Sequence, residues 1–385
     1  MTVCVFVGGR ADLSPLAPVL RALAQGDDRV VVLTAVGFDE DGALAALDAE
    51  GLSGLEVRAV GPRLGGDSPA DATACGSEIS RGMPSALDGA SCLVVLGDRW
   101  ELPWVVMPAV LARVPVVHLH GGEVTEGAID ERVRHAVSKL ADVHCVASGE
   151  SRARLEQMGE DPGSIHVTGA PGLDRLVRAA PASDDELARL AGRPVTRPLA
   201  LFTYHPVTTQ PVAEVVGNGV AALRGTADVV GTVVVTHPGP DPGGRQLRDA
   251  LVESARDLPG CVVVPSLGPA YPSVLAACDV VVGNSSSGVI EAASAGVPAV
   301  DVGERQAGRL RAPSVQHVVD GREAVRDAVR QVLVDARPSR TDNPYGDGDA
   351  ARRILDTIHG VPATAGSKRF RDVYSAVCSD GRRDQ

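Results

Sequence analysis

Aromatic residues are scarce in this chain. Four Phe, four Tyr and two Trp make up 3% of its 385 residues. Any core must therefore be built from Val, Leu and Ala, which favours buried parallel strands. The seven cysteines, at 4, 75, 92, 145, 261, 278 and 378, form no C-x-x-C. That excludes the common zinc and dithiol motifs and reads as small buried residues in a reducing cytoplasm. No apolar run reaches the ~18 residues of a membrane span. The first residues read as a strand, not a signal peptide. A cytoplasmic protein with no membrane partner is the expectation. A basic excess is also missing: 37 Lys and Arg against 49 Asp and Glu leave a net charge of −12. That argues against nucleic acid, which needs a basic face. It leaves room for a small anion, because local arginines and helix N-termini can hold one.

What is present is a repeating βα pattern. At this length two domains are the default. Short apolar runs at 3–7, 30–33, 55–60, 93–96, 114–119, 143–146 and 165–168 read as strands. Helical periodicity separates most of them, as at 15–23, 102–113, 131–140 and 151–158. Residues 180–198 carry Pro181, Pro194 and Pro198, with a short helix possible from Asp184 to Leu190, and mark a linker. The pattern then restarts, with strands at 199–204, 229–236, 262–264, 280–282, 299–302 and 315–318 and helices at 213–224, 246–257, 271–277 and 288–295. The expected fold class is α/β: two Rossmann-like domains whose parallel sheets face a central cleft. The expected divisions are 1–180, a linker at 181–198, a second domain at 199–360, and a C-terminal helix and frayed tail at 361–385.

Chemistry concentrates at strand ends. Asp98 follows the run at 93–96, and His118, His120, Glu123 and Asp130 follow the run at 114–117. Carboxyl ends of neighbouring parallel strands are where open α/β sheets place ligands. Asp130 and Glu131 stand at a helix start, where capping alone also explains an acid. Glu123 follows Gly121 and Gly122 in a loop and has no such alternative. His118 and His120 alternate, so one faces the core and the other the cleft. Neither H-E-x-x-H nor a cysteine partner accompanies them, so no metal is expected.

In the second half, G-N-S-S-S-G-V-I-E (283–291) leaves a buried strand and opens a helix. Ser285, Ser286 and Ser287 present backbone N–H groups and hydroxyls suited to phosphate. Glu291 lies within reach of a ribose diol. G-G-R-A-D (8–12) offers Arg10 to a phosphate oxygen. This segment lacks the full G-x-G-x-x-G, so no nicotinamide, and no other cofactor, is expected. His205 in T-Y-H-P and Arg245, Arg305 and Arg309 complete the candidates.

Together these motifs resemble the hydrolysing UDP-N-acetylglucosamine 2-epimerases, which have a GT-B fold. The likeness runs from GGRAD at Gly8 through GDRWE at Gly97, HLHGGEVTEGAIDERVRHAVSKL at His118, GAPGLD at Gly169, TYHPVTT at Thr203 and GNSSSGVIEA at Gly283 to GERQAGR at Gly303. It implies anti elimination of UDP to a 2-acetamidoglucal and hydration to free N-acetylmannosamine, with no metal or cofactor. By position it implies Arg10, Ser285, Ser286, Ser287 and Arg305 at the diphosphate, Glu291 at the ribose and His205 beside the diphosphate. Asp98, Glu123 and Asp130 would surround the sugar, with His120, Arg99 and Arg134 as further sugar contacts. The implied assembly is a homodimer or homotetramer. The chain departs from the family pattern near the sugar. His120 replaces a Glu, residues 34–38 offer no histidine, and Leu13 replaces a Tyr. These departures raise a modified UDP-HexNAc as an alternative substrate; a GT-B glycosyltransferase, which shares the fold and the phosphate site, is the other alternative.

Overall fold

The computed structural model describes residues 1–372 apart from 67, 127, 240, 336, 338, 341, 342 and 367. The first sheet contains β1 (Thr2–Val7), β2 (Arg29–Val36), β3 (Glu56–Arg63), β4 (Cys92–Leu96), β5 (Val116–Leu119), β6 (Val143–Val146) and β7 (Ile165–Val167). The second contains β8 (Leu199–Thr203), β9 (Thr232–Thr236), β10 (Cys261–Val264), β11 (Val280–Gly283), β12 (Ala299–Val302) and β13 (Val315–Val318). Their orders are 3-2-1-4-5-6-7 and 10-9-8-11-12-13. All pairings are parallel, for example Val5 with Val32 and Val282 with Phe202. This is the expected α/β, GT-B-like pair of Rossmann-like sheets.

The two orders decide where ligands go. In each sheet the chain winds outward in one direction and then returns to wind in the other. The reversal lies between β1 and β4 in the first sheet, and between β8 and β11 in the second. The crevice outside strand ends at such a reversal is the binding position of open α/β sheets. Arg10, Asp12 and Asp98 to Glu101 follow β1 and β4; His205 and Ser285 to Ser287 follow β8 and β11.

Both sheets are apolar on both faces because helices cover both. Val3, Val5, Leu16, Leu20 and Val94 pack on one face of the first sheet, and Phe6, Leu33, Ile79 and Val105 on the other. The helix Ala350–His359 sits in the first of these cores through Ala350, Ala351, Ile354 and Ile358. Sequence position placed it with the second domain. Its apolar stripe instead continues the face next to Arg10–Ala24, and Asp174 accepts from the N–H groups of Ala350 and Ala351 at 2.9 and 2.8 Å. The helix expected beyond 360 is absent from the described part of 361–372, where Pro362 and Gly366 interrupt any helical run. The tail expected to fray, 379–385, lies outside the described residues.

The expected helix 288–295 is two short ones, Ser286–Ile290 and Ala292–Ala295, broken at Glu291. Ahead of them, Gly283 has φ +137° and lies against the Thr203 carbonyl, where a Cβ has no room. We expect Gly283→Ala to cost at least about 1–3 kcal/mol, read as a lower urea midpoint with an unchanged slope.

Candidate active site

The turn after β4 is held from below. His118, fully buried, donates from Nε2 to Gly97 O at 2.8 Å and accepts from Ser138 Oγ at Nδ1, 3.1 Å. Burial pushes its pKa down to about 3. It is a neutral strut, and the core-facing member of the histidine pair. His120 is the other member, and its φ of +61° is uncommon for a residue with a side chain. That conformation turns its ring to Glu123, with Nδ1 to Oε1 at 2.5 Å.

Four charged groups meet at Glu123. Its second oxygen accepts from Arg309 Nη1 at 2.6 Å, and Arg309 Nη2 also lies 3.8 Å from Asp98. Asp98 is paired with Arg134. Arg134 is 1% exposed and donates to Glu123 O (3.1 Å) and Thr125 Oγ1 (2.9 Å). It is therefore a clamp beneath the acids and does not line open space. Burial raises the pKa of Glu123, but His120 and Arg309 outweigh it and hold the carboxyl below its usual range. Glu123 is thus ionised at neutral pH.

Asp130 contrasts with it. It is the first residue of the helix Asp130–Leu140, whose N-cap is Ile129. The structural work at this end falls to Glu131, which accepts from Thr125 N–H at 2.6 Å. Asp130 is left uncommitted. Burial and the charge of Asp241 raise its pKa to about 6, against the pull of Arg305 and Arg99. Two carboxylates with opposite shifts in one cleft are the usual sign of divided acid/base roles.

The second half supplies an anion cradle. Asn284, fully buried, clasps the backbone after β8: its Oδ1 accepts from His205 N–H at 2.6 Å and its Nδ2 donates to His205 O at 2.9 Å. Arg305 ties the same loops by donating to Pro206 O (3.3 Å) and Asn284 O (3.2 Å). Gly239 N–H donates to His205 Nδ1 at 3.0 Å. Burial, with Arg305 and Arg99 adding, pushes His205 down to about 3. A neutral ring that accepts at Nδ1 carries its proton on Nε2, so His205 is a fixed donor. Ser285 caps the short helix and takes the Ser287 hydroxyl at 2.9 Å. Glu291 accepts from Tyr271 OH at 2.6 Å. Arg10 is exposed at the first turn of Arg10–Ala24.

The acid loop and the cradle are in contact. Glu126 N–H donates to Ala307 O at 3.2 Å, and Ile129 N–H to Thr208 Oγ1 at 3.3 Å. Gly308 (φ +80°) packs so closely on Val124 that a Cβ would collide. The cleft is closed, with residues of both halves around one centre. Among the described residues no group of three or more His, Cys, Asp or Glu is arranged to hold a metal ion.

Some site residues carried no isolated signal. Glu101 is fully buried and accepts from Arg99 Nε at 2.7 Å, while Asp12, 8% exposed, lies 4.0 Å from the same nitrogen. Both carboxylates lie over Gly8, where a Cβ would fall 2.6 Å from Glu101 Oε1 and 3.1 Å from Asp12 Oδ2. Only the conjunction of G-G-R-A-D with G-D-R-W-E hinted at this. Burial is the main cause that raises Asp12 to about 6. A folded pKa above the unfolded 3.8 means that ionised Asp12 costs stability above pH 6, and the cost fades as pH falls to 4. We expect Asp12→Asn to stabilise the chain at pH 7.5 by on the order of 1–3 kcal/mol. The gain over wild type should shrink towards zero near pH 4 in parallel denaturant titrations.

Comparison with known proteins identifies the family and supports the fold. The family model described as UDP-N-acetylglucosamine 2-epimerase matches residues 50–359. A Legionella pneumophila UDP-N,N'-diacetylbacillosamine 2-epimerase (hydrolyzing) is 32% identical over 92% of this chain and 94% of its own length. A Neisseria meningitidis UDP-N-acetylglucosamine 2-epimerase is 31% identical over 73% of this chain and 74% of its own. In fold, a Methanocaldococcus jannaschii UDP-GlcNAc 2-epimerase solved with UDP-GlcNAc and UDP superposes with a TM-score of 0.75 at 17% identity, over 94% of this chain and all of that one.

Proposed function

The chain belongs to the UDP-N-acetylglucosamine 2-epimerase family, and from that premise we propose that it is a hydrolysing 2-epimerase. It takes UDP-N-acetylglucosamine, expels UDP by anti elimination through a 2-acetamidoglucal, and hydrates the glucal to free N-acetylmannosamine. The observation that carries this reading is the pairing of an ionised Glu123 with a raised Asp130 opposite an anion cradle in one closed cleft.

Roles follow from those environments. Asp130, with a pKa near 6, is ionised at neutral pH yet basic enough to take the C2 proton. As the C1–O bond breaks, charge grows on the diphosphate. His205 Nε2–H, Arg305, Arg10 and the N–H and hydroxyl groups of Ser285, Ser286 and Ser287 receive it. Glu291 binds the ribose. Water then adds its oxygen at C1, and a proton returns to C2 from the opposite face, which inverts that centre. Glu123, held ionised by His120 and Arg309, and Asp98, paired with Arg134, orient this water. His120 and Arg99 contact the sugar. The same reading places the enzyme in the cytoplasm as a homodimer or homotetramer, which a solution mass checks.

A second reading changes only the sugar. The Legionella relative, matched over nearly its whole length, is named for a diacetylated bacillosamine. A 2,4-diacetamido-6-deoxy sugar linked to UDP keeps the C2 acetamido group and the elimination. The test is UDP release without any acceptor, run on UDP-N-acetylglucosamine and on the diacetamido sugar. Turnover of the first supports the main reading; turnover of the second alone supports the other. A strict need for an acceptor contradicts both.

A further inference from the structure

We infer that a cavity where the two halves meet, beside the helices Arg10–Ala24 and Ala350–His359, is a second anion-binding site, built for a small phosphate-bearing molecule. The cavity measures about 620 Å³, inside the ~300–1,000 Å³ range of small-molecule sites. It shares no lining residue with the acids, the serine loop or His205. Its wall comes from both halves. Arg21 lies on the first helix, Arg175 and Arg178 on the segment leaving the first half, Pro269 and Pro272 in the second half, and Arg352 on the returning helix.

Charge there runs opposite to the rest of the molecule. Four arginines line the cavity with two carboxylates, Asp174 and Asp349. Asp174 is occupied by the N–H groups of Ala350 and Ala351. Arg352 is paired with Asp349 at 2.8 Å and Arg175 with Glu50 at 2.7 Å. Among the described residues Arg21 donates only to a neutral acceptor, Glu50 O, at 2.7 Å. Arg178 is exposed, and the one charge it acts on among the described residues is that of Asp174, whose hydrogen-bonding oxygens already face the two N–H groups. Four arginines against two carboxylates leave this lining with an excess of positive charge on a chain of net charge −12. Such a local inversion of sign concentrates anions. The guanidinium forks suit phosphate oxygens, and the proline wall suits the carbon skeleton attached to a phosphate.

This site does not depend on the reaction proposed above. The test is calorimetric titration of the full chain with pyrophosphate, wild type against Arg178→Glu. Arg178 is exposed, so the substitution leaves folding intact, and a thermal melt checks that. The wild type should bind in two classes, one in the cleft and one here. Arg178→Glu should weaken only the second, by ~10-fold or more, because it reverses the charge of one of the four lining arginines. A parallel Arg305→Ala variant should weaken only the first. A single class in the wild type, or two classes that Arg178→Glu leaves unchanged, would overturn the inference.

Discussion

Asp130→Asn should lower turnover by about 10²–10⁴-fold, the usual contribution of a positioned acid or base. UDP affinity should stay within about threefold, because the lost interaction belongs to the transition state. The reason is local. Asp130 heads its helix without capping it, and Glu131 does the backbone work in its place. Burial and Asp241 raise its pKa to about 6. A base must be ionised to act, so wild-type kcat should rise with pH through about 6 and then level. Asp130→Asn should erase that limb, and Asp130→Glu should keep it with reduced amplitude. A rate that falls with rising pH through the same point would instead make Asp130 the acid. Loss of UDP binding together with turnover would assign it to structure.

Arg309→Met should be the next most damaging change. Arg309 crosses from the second half to Glu123 and Asp98. Without it, the Glu123 carboxylate stays buried with His120 as its remaining hydrogen-bond partner among the described residues, and losing one partner of such a pair costs ~3–5 kcal/mol. Burial is the largest influence on Glu123 and raises its pKa, so its carboxyl should move up once Arg309 is gone. Turnover should fall by on the order of 10²-fold as a water-orienting charge is lost. Denaturant titration reads the first effect and initial rates read the second. Arg309→Lys should restore part of the charge but not the two-oxygen reach. Unchanged stability and rate would show that the cross-cleft contact is incidental.

Much of the fold was legible because the strands are short Val-rich runs between helical patterns. The thirteen strands of the two sheets correspond to the runs read from the sequence. Three features were not legible, each for a physical reason. The stripe of Ala350–His359 shows that the helix is amphipathic but not which sheet it covers, so its return to the first core came only from packing. The break at Glu291 depends on the local backbone, since the sequence there carries no proline. The buried Asp12–Arg99–Glu101 group joins residues from two strand ends that touch only because β1 and β4 are neighbours. The motifs marked which loops carry charge. They did not separate Arg134, which clamps from below, from Arg309, which reaches across.

The most direct test of the elimination–hydration chemistry is turnover of UDP-N-acetylglucosamine in D₂O, followed by NMR of the released sugar. Removal of the C2 proton and its return from solvent predict N-acetylmannosamine with deuterium at C2. Release of N-acetylglucosamine that keeps its C2 proton would contradict the account, because UDP would then leave without any chemistry at C2.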